Sequence, residues 1–302
     1  MSGALALTGC GSSTGGGGGG GGGVDSGTGG GSADGGGGGG QTLTLTMDEF
    51  TVPAGSEIYK CQNFADPFPG AAEVQGFESH MSAGSHHMLL FYYNSNADGA
   101  LEDCSGLEFH PTPYGAQTPD SEVDYPEGIA ALIPANQGLR MQAHYLNTTD
   151  QDITAHVEVR FHLAVDGTVT AHAGMVFMNN AAIYLQPSGS PQTVTKKCSV
   201  PSNIHLIYAN SHMHQHGTNF QAVETGGGTE LYQTTNWDDP PLSALSPPID
   251  LNAGDEIQWT CTYLNNTGQI ITFGESAATN EMCIFTGQYY PAPDTGDPMI
   301  GC

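Results

Sequence analysis

Basic side chains are nearly missing from this sequence of 302 residues: Lys and Arg together number 5, against 31 Asp and Glu, for a net charge of −26. Nothing is available to neutralise a phosphate backbone, so nucleic-acid binding is excluded. Docking on an anionic lipid surface through a basic patch is excluded for the same reason. Long apolar runs are lacking as well, and none approaches the ~18 residues that a membrane-spanning helix needs. Helical periodicity is the third lack, with no stretch longer than a turn or two. Glycine, by contrast, is abundant, and it fills 20 of the 30 positions from 11 to 40. Such a tract has no side chains to bury and loses the most backbone entropy on ordering, so it reads as a disordered linker. The part able to fold is 41–302, room for one large β domain or two of ordinary size.

Seven cysteines and twelve histidines stand out in so lysine-poor a chain. In an oxidising compartment such cysteine usage means disulfides, and an odd number leaves one over. Ala4-Leu5-Ala6-Leu7-Thr8-Gly9-Cys10 reads as the end of a bacterial lipoprotein signal, with Cys10 accepting the lipid and the Ser/Gly tract as a tether. No Lys or Arg precedes Cys10, and the segment is short of the ~7–15 apolar residues of a full signal, which points to a start further upstream. The expected product is an exported monomer, a bacterial outer-membrane or cell-surface lipoprotein that meets the membrane only through its lipid anchor.

Residues 41–302 read as all-β, with short alternating runs separated by Gly, Pro, Asn and Asp. In 156–163, Val157, Val159, Phe161 and Leu163 share one face of a strand, and His156, Glu158, Arg160 and His162 the other. Further strands are expected over 42–46, 88–93, 139–145, 204–209, 257–263 and 269–273. Segments 135–149 and 253–267 echo each other at an offset of 118, both ending in Tyr-Leu-Asn and a turn. With a Pro/Ser/Gly-rich boundary at Gln186–Thr193, the echo suggests two tandem antiparallel β-sandwich domains, 41–186 and 193–302, behind a signal remnant (1–10) and the linker (11–40).

The histidines gather in three places: His86-His87 before an apolar strand, His144 near the end of the first echo segment, and His212-Met213-His214-Gln215-His216. On a strand, residues i, i+2 and i+4 share a face, so His212, His214 and His216 could converge on one metal. Imidazole suits Cu, Zn, Fe and Ni, and a thioether would tilt the choice to Cu(I). The isolated His80, His110, His156, His162, His172 and His205 read as solvated or hydrogen-bonded side chains.

Gly84-Ser85-His86-His87-Met88-Leu89-Leu90-Phe91 resembles the His-His-Met-Leu-Leu-Phe motif of the copper type II, ascorbate-dependent monooxygenases. Leu139-Arg140-Met141-Gln142-Ala143-His144-Tyr145, His212-Met213-His214 and Asn280-Glu281-Met282-Cys283 are similar to three further motifs of that family, in family order. The resemblance implies jelly-roll-like sandwiches and two coppers facing each other across a wet cleft. His86, His87 and His144 would hold the copper that receives electrons, one at a time, from a reductant such as ascorbate. His212, His214 and Met282 would hold the catalytic copper that takes O2, for hydroxylation of an activated C–H bond of a small-molecule substrate. The resemblance also implies the disulfides Cys61–Cys104, Cys198–Cys302 and Cys261–Cys283, which leaves Cys10 for lipid. Gln142 is a candidate for orienting the cleft, and His216 for an accessory role beside the ligands. Peptide-amidating members carry an Arg and a Tyr where this chain has Asn210 and Thr286, so a peptide carboxylate is a poor expectation here. A second reading is a copper-binding lipoprotein that stores, delivers or senses the metal. A third, a zinc hydrolase, would need Glu281 as its base.

Overall fold

Alternating apolar and polar residues direct this chain into strands, and every helix or strand among the described residues is a strand. The computed structural model describes residues 40–94, 97–294 and 297–302, with the backbone of 33–34; Cys10 and the glycine tract before residue 40 otherwise lie outside them. No helix among these residues is long and apolar enough to cross a membrane. Strands stand at Thr42–Thr46, Val157–Leu163, Leu139–Leu146, Ile204–His212, Glu256–Leu264 and Ile271–Thr272, each over an expected run. The strand expected at 88–93 begins earlier, at Ser85, and so carries His86 and His87.

The protein is an all-β sandwich. One long sheet runs through both halves in the order Thr42–Thr46, Val157–Leu163, Ala72–Met81, Ile129–Ile133, Ala171–Asn179, Ile284–Ala292, Ile204–His212, Ser243–Leu251. The two halves join where Ile129–Ile133 and Ala171–Asn179 pair in parallel. Shorter sheets cover this one. In the first half the cover contains Glu57–Phe64, Leu139–Leu146 and Ser85–Tyr92 side by side, and in the second Pro191–Ser199, Glu256–Leu264 and Gly217–Glu224.

Each sandwich closes on its own core. In the first, Val74, Phe77, Val159 and Phe161 of the long sheet meet Leu90, Met141 and Tyr145 of the cover. In the second, Val176, Leu206 and Phe285 meet Phe220, Ile257 and Trp259. Burial of aromatic and branched side chains on both inner faces is the main stabilising term in such a layer. The Pro/Ser/Gly stretch forms the turn between Tyr184–Leu185 and Pro191–Ser199. Upstream of that turn, Val176, Met178, Ile183 and Leu185 already pack in the second core.

Candidate metal centre

His144 lies in Leu139–Leu146, directly opposite His87 on one neighbouring strand and Tyr59 on the other. Successive residues of a regular strand point to opposite faces, which would send His86 and His87 apart. Here the register slips: His144 pairs with His87 but Tyr145 pairs with Ser85, which makes His86 the extra residue of a β-bulge. A bulge re-aims a side chain, and both rings come to 5.0 Å from His144, centroid to centroid.

In the second half, Ile204–His212 ends at His212, opposite Ile284. The chain then turns, with the Gly217 N–H donating to the His214 carbonyl at 2.9 Å. The expected strand through His212, His214 and His216 is therefore a strand end followed by a turn. The Glu281 side chain fixes that turn, one oxygen accepting the backbone N–H of His214 at 2.9 Å and the other that of His216 at 2.7 Å. Burial pushes the Glu281 carboxyl up to about 8, against the backbone N–H groups of His214, His216 and Met282. With each oxygen taking a backbone N–H, Glu281 is a turn-holder. His216 is half-buried, and among the described residues no ring contact ties it to the other histidines.

Five imidazoles from the two halves converge. His212 lies 5.0 Å from His86 and 4.9 Å from His87, and His214 lies 5.1 Å from His212 and 5.8 Å from His86. One ring nitrogen from each of His86, His87 and His212 falls within 4.8 Å of the other two. All five rings are buried, His144 and His214 completely. The wet cleft implied by the resemblance is thus replaced by a closed contact between the halves.

The arrangement of free nitrogens suits a metal. Within the cluster, the buried ring nitrogens without a hydrogen-bond partner are Nδ1 and Nε2 of His86, Nδ1 of His87, Nδ1 of His144, and Nε2 of His212 and of His214; Nε2 of His216, outside the cluster, is unpartnered too. Leaving buried polar atoms unpaired is costly, whereas neutral imidazoles with one free nitrogen are metal ligands. Three of the rings are also held from behind, as metal-ligating histidines usually are. His144 Nε2 meets Glu57 Oε1 at 2.9 Å, His212 Nδ1 meets Gln117 Oε1 at 2.8 Å, and His214 Nδ1 meets the Asn280 carbonyl at 3.1 Å. Burial, reinforced by the neighbouring rings, holds His86, His87 and His212 well below the usual histidine range and His214 at about 4. For His144 burial also wins, against Glu57. All five are neutral at pH 7.

A clasp missed in the sequence joins the halves beside these rings. Besides His144, Glu57 binds the Ala277 N–H at 2.6 Å and the Ser276 hydroxyl at 2.7 Å. Burial alone would raise the Glu57 carboxyl, but the His144, Ala277 and Ser276 bonds outweigh it and bring it to about 2. Tyr59 stacks on His144 at 3.9 Å and donates its hydroxyl to the Glu275 carbonyl at 2.7 Å. The Glu275 carboxylate accepts the Ser105 hydroxyl and the Gly106 N–H, each at 2.8 Å. One loop, 275–280, therefore touches His144 through Glu57 and His214 through Asn280.

The other expected residues fall around this centre. Met282 is buried and lines a recess with His87 and His212. Gln142 is buried and donates to the Ser105 carbonyl at 2.9 Å, next to the clasp. Thr286 lines the same recess, while the Asn210 side-chain oxygen accepts from the Ser211 N–H and the Tyr232 hydroxyl. The disulfides are Cys61–Cys104, Cys198–Cys302 and Cys261–Cys283, the pairs the resemblance implies. Of the isolated histidines, His80, His156, His162, His172 and His205 each face a carboxylate.

Residues 168–297 match the family described as copper type II ascorbate-dependent monooxygenase, C-terminal domain. This part of the chain, less than half of it, is similar to the copper type II, ascorbate-dependent monooxygenase family. The DBH-like monooxygenase protein 2 of Mus musculus is 28% identical over 95 residues, which are 30% of this chain and 15% of that protein. Among solved structures, the VP2 subviral particle of infectious bursal disease virus aligns at 9% identity over 84% of this chain and 78% of its own, with a TM-score of 0.18. A likeness that low carries no argument. The monooxygenase match contains His212, His214 and Met282, whereas His86, His87 and His144 precede it.

Proposed function

We propose that the protein is a copper-dependent monooxygenase that hydroxylates an activated C–H bond of a small molecule. The balance is R–H + O2 + 2e− + 2H+ giving R–OH + H2O, with two ascorbates each giving up one electron. The observation that carries this reading is the convergence of five buried, neutral imidazoles with unpartnered nitrogens, beside Met282, in a chain whose residues 168–297 match this family's C-terminal domain. His86, His87 and His144 would hold one copper, and His212, His214 and Met282 the other. Bound copper supplies one-electron transfer and O2 activation, and a soft thioether favours Cu(I).

The chain's own groups set up that chemistry. Glu57 draws the Nε2–H of His144 away and leaves Nδ1 facing the cluster, Gln117 does the equivalent for His212, and the Asn280 carbonyl does so for His214. Burial keeps the rings unprotonated, so protons do not compete with metal at neutral pH. Three disulfides suit an exported protein working in an oxidising compartment, and a lipid on Cys10 would tether it.

Elemental analysis and oxygen uptake test the reading together. The expected result is two coppers per chain and O2 consumption that needs ascorbate and both coppers. Two coppers without uptake, for any C–H donor tried, would favour a copper carrier, and one or none would overturn the two-site assignment.

A further inference from the structure

His86 is the least supported ring of the five. Its Nδ1 and Nε2 are both buried and both without a hydrogen-bond partner, a state no other ring of the cluster shares. His144, His212 and His214 are each held from behind, by Glu57, Gln117 and the Asn280 carbonyl. A bulge turns the His86 side chain towards its neighbours. Rotation of the ring about its last bond is soft, however, and a metal ligand needs that angle fixed.

One ring from outside the histidines meets it. The Trp237 indole lies 5.9 Å from the His86 ring, centroid to centroid, and crosses it at 66°. Edge-on contact at this separation is favourable and sets the angle between two rings. His86 belongs to the first half and Trp237 to the second, so the contact spans their junction. Asn236, Asp238 and Asp239 around Trp237 are exposed, whereas Trp237 is half-buried and packs against the second core. One part of the indole thus meets solvent and another meets a ring that is only 4% exposed.

The chain itself holds the loop that presents this indole. The Asn236 side-chain oxygen accepts the N–H of Asp238 at 3.2 Å and of Asp239 at 3.1 Å, and its amide donates to the Asp239 carbonyl at 2.7 Å. Tyr232 fixes the far end, donating its hydroxyl to the Pro241 carbonyl at 2.8 Å.

We propose that Trp237 is a positioning residue for His86: its indole, reaching across from the second half, sets the ring's angle and keeps water from it, which tilts the first copper towards Cu(I). Dry surroundings disfavour the extra charge of Cu(II), and an imidazole with no acceptor behind it is the poorer donor to that state. The effect on copper rests on the two-copper reading above, and the cover over His86 rests on the ring contact alone.

Two measurements on the full chain test this. The first needs no copper: modification by diethyl pyrocarbonate, mapped to single histidines by fragment mass spectrometry. In wild type and Trp237→Phe, His86 should stay unmodified while the exposed His80 reacts. In Trp237→Ala, His86 should become reactive, and equal protection there would overturn the cover. The second is chelator competition for Cu(I) and Cu(II) in turn. In Trp237→Ala the ratio of Cu(I) to Cu(II) affinity at the first site should fall about tenfold, a potential lower by about 59 mV. Trp237→Phe should keep the wild-type ratio. In a His144→Thr chain, which keeps only the second site, Trp237→Ala should leave the ratio alone. A ratio unchanged in Trp237→Ala, or lowered as much in Trp237→Phe, would overturn the positioning role. Trp237→Gln, polar and of similar reach, should repeat the alanine result and decides if the alanine variant unfolds. A chain that binds no copper yet shows the expected protection would sink the monooxygenase reading and keep the cover, whereas two coppers with His86 reactive in wild type would do the reverse.

Discussion

The strands Leu139–Leu146 and Glu256–Leu264 are the same object built twice and put to different uses. Each ends in Tyr-Leu with an Asn next, and the turns that follow are bonded alike. Asn147 accepts from the N–H and hydroxyl of Thr149 and donates to the Gln151 carbonyl; Asn265 does the same with Thr267 and Gln269, 118 residues on. Their inward faces match too, with Met141, Ala143 and Tyr145 in one core and Trp259, Cys261 and Tyr263 in the other. The outward faces differ. Gln258, Thr260 and Thr262 are half-buried, as on an ordinary covering strand, whereas Arg140, Gln142 and His144 are buried. A polar face that folding takes out of water needs a compensating use, and here it meets the clasp and the histidine cluster. The two strands share a frame, but the histidines sit differently in the two halves: His144 on a covering sheet, His212 at the end of a strand in the long sheet.

The comparison breaks most sharply if the first copy is given the second copy's residue. His144→Thr places there what stands at 262. Copper content should fall from two per chain to one, and ascorbate-driven uptake by more than about 100-fold, beyond the usual cost of losing a partner behind a ligand. Two coppers retained in this variant would remove His144 from the centre. The matching change in the second half is Met282→Ala, which should keep the first copper, weaken Cu(I) binding at the second and abolish uptake. Unchanged Cu(I) affinity at both sites would take Met282 off the ligand set.

Next in size is the clasp. Glu57→Gln keeps the shape but loses the charge that faces His144 and the 276–277 backbone. Copper affinity at the first site should drop about 10- to 100-fold, read by competition with a chelator. A second reading comes from acid. The folded carboxyl lies at about 2, below its value of 4.5 in the unfolded chain, so the unfolded state takes up the proton first. The stabilisation is therefore complete above pH 4.5 and is lost as pH falls from 4.5 towards 2. Copper-free wild type should lose thermal stability across that window more steeply than Glu57→Gln. Parallel curves would mean that the clasp contributes nothing to the fold.

How much of this was legible depends on how local each signal is. The alternation in 139–145 and 257–263 marks strands at once, and the adjacent histidines mark a site. That His86 and His87 share one target follows from a bulge, which shows only when the partner strand is laid alongside. Glu57 is 87 residues from His144 and carries no local signature. The strands Pro191–Ser199 and Ser243–Leu251 were hidden by their prolines. Each is the last strand of its sheet, and an edge tolerates the missing N–H. The closeness of the two histidine groups belongs to the contact between the halves, so no motif could report it.

A smaller effect tests the turn-holder in the second half. Glu281→Gln leaves one carbonyl oxygen for two backbone N–H donors, those of His214 and His216. One buried donor then goes unpaired, at a cost of about 1–3 kcal/mol, visible as a lower midpoint in chemical denaturation. The first copper should stay bound. An unchanged midpoint would mean that the turn is fixed by other contacts.

The finest test asks whether the two turns, alike in bonding, are alike in energy. Asn147 donates to three backbone carbonyls, of Val52, Pro53 and Gln151, and Asn265 to two, of Leu185 and Gln269. Replacing either by Ala strips buried carbonyls of a donor, so each variant should lose about 1–3 kcal/mol, with Asn147→Ala the larger. The two should part in their effect on copper. Asn147 anchors the end of the strand that carries His144, so its loss should lower copper affinity at the first site by a few-fold. Asn265 anchors a strand with no ligand, and its loss should leave both coppers as they were. Equal effects on copper would mean that the second strand supports the centre after all, and the division between frame and ligand drawn from the outward faces would fail.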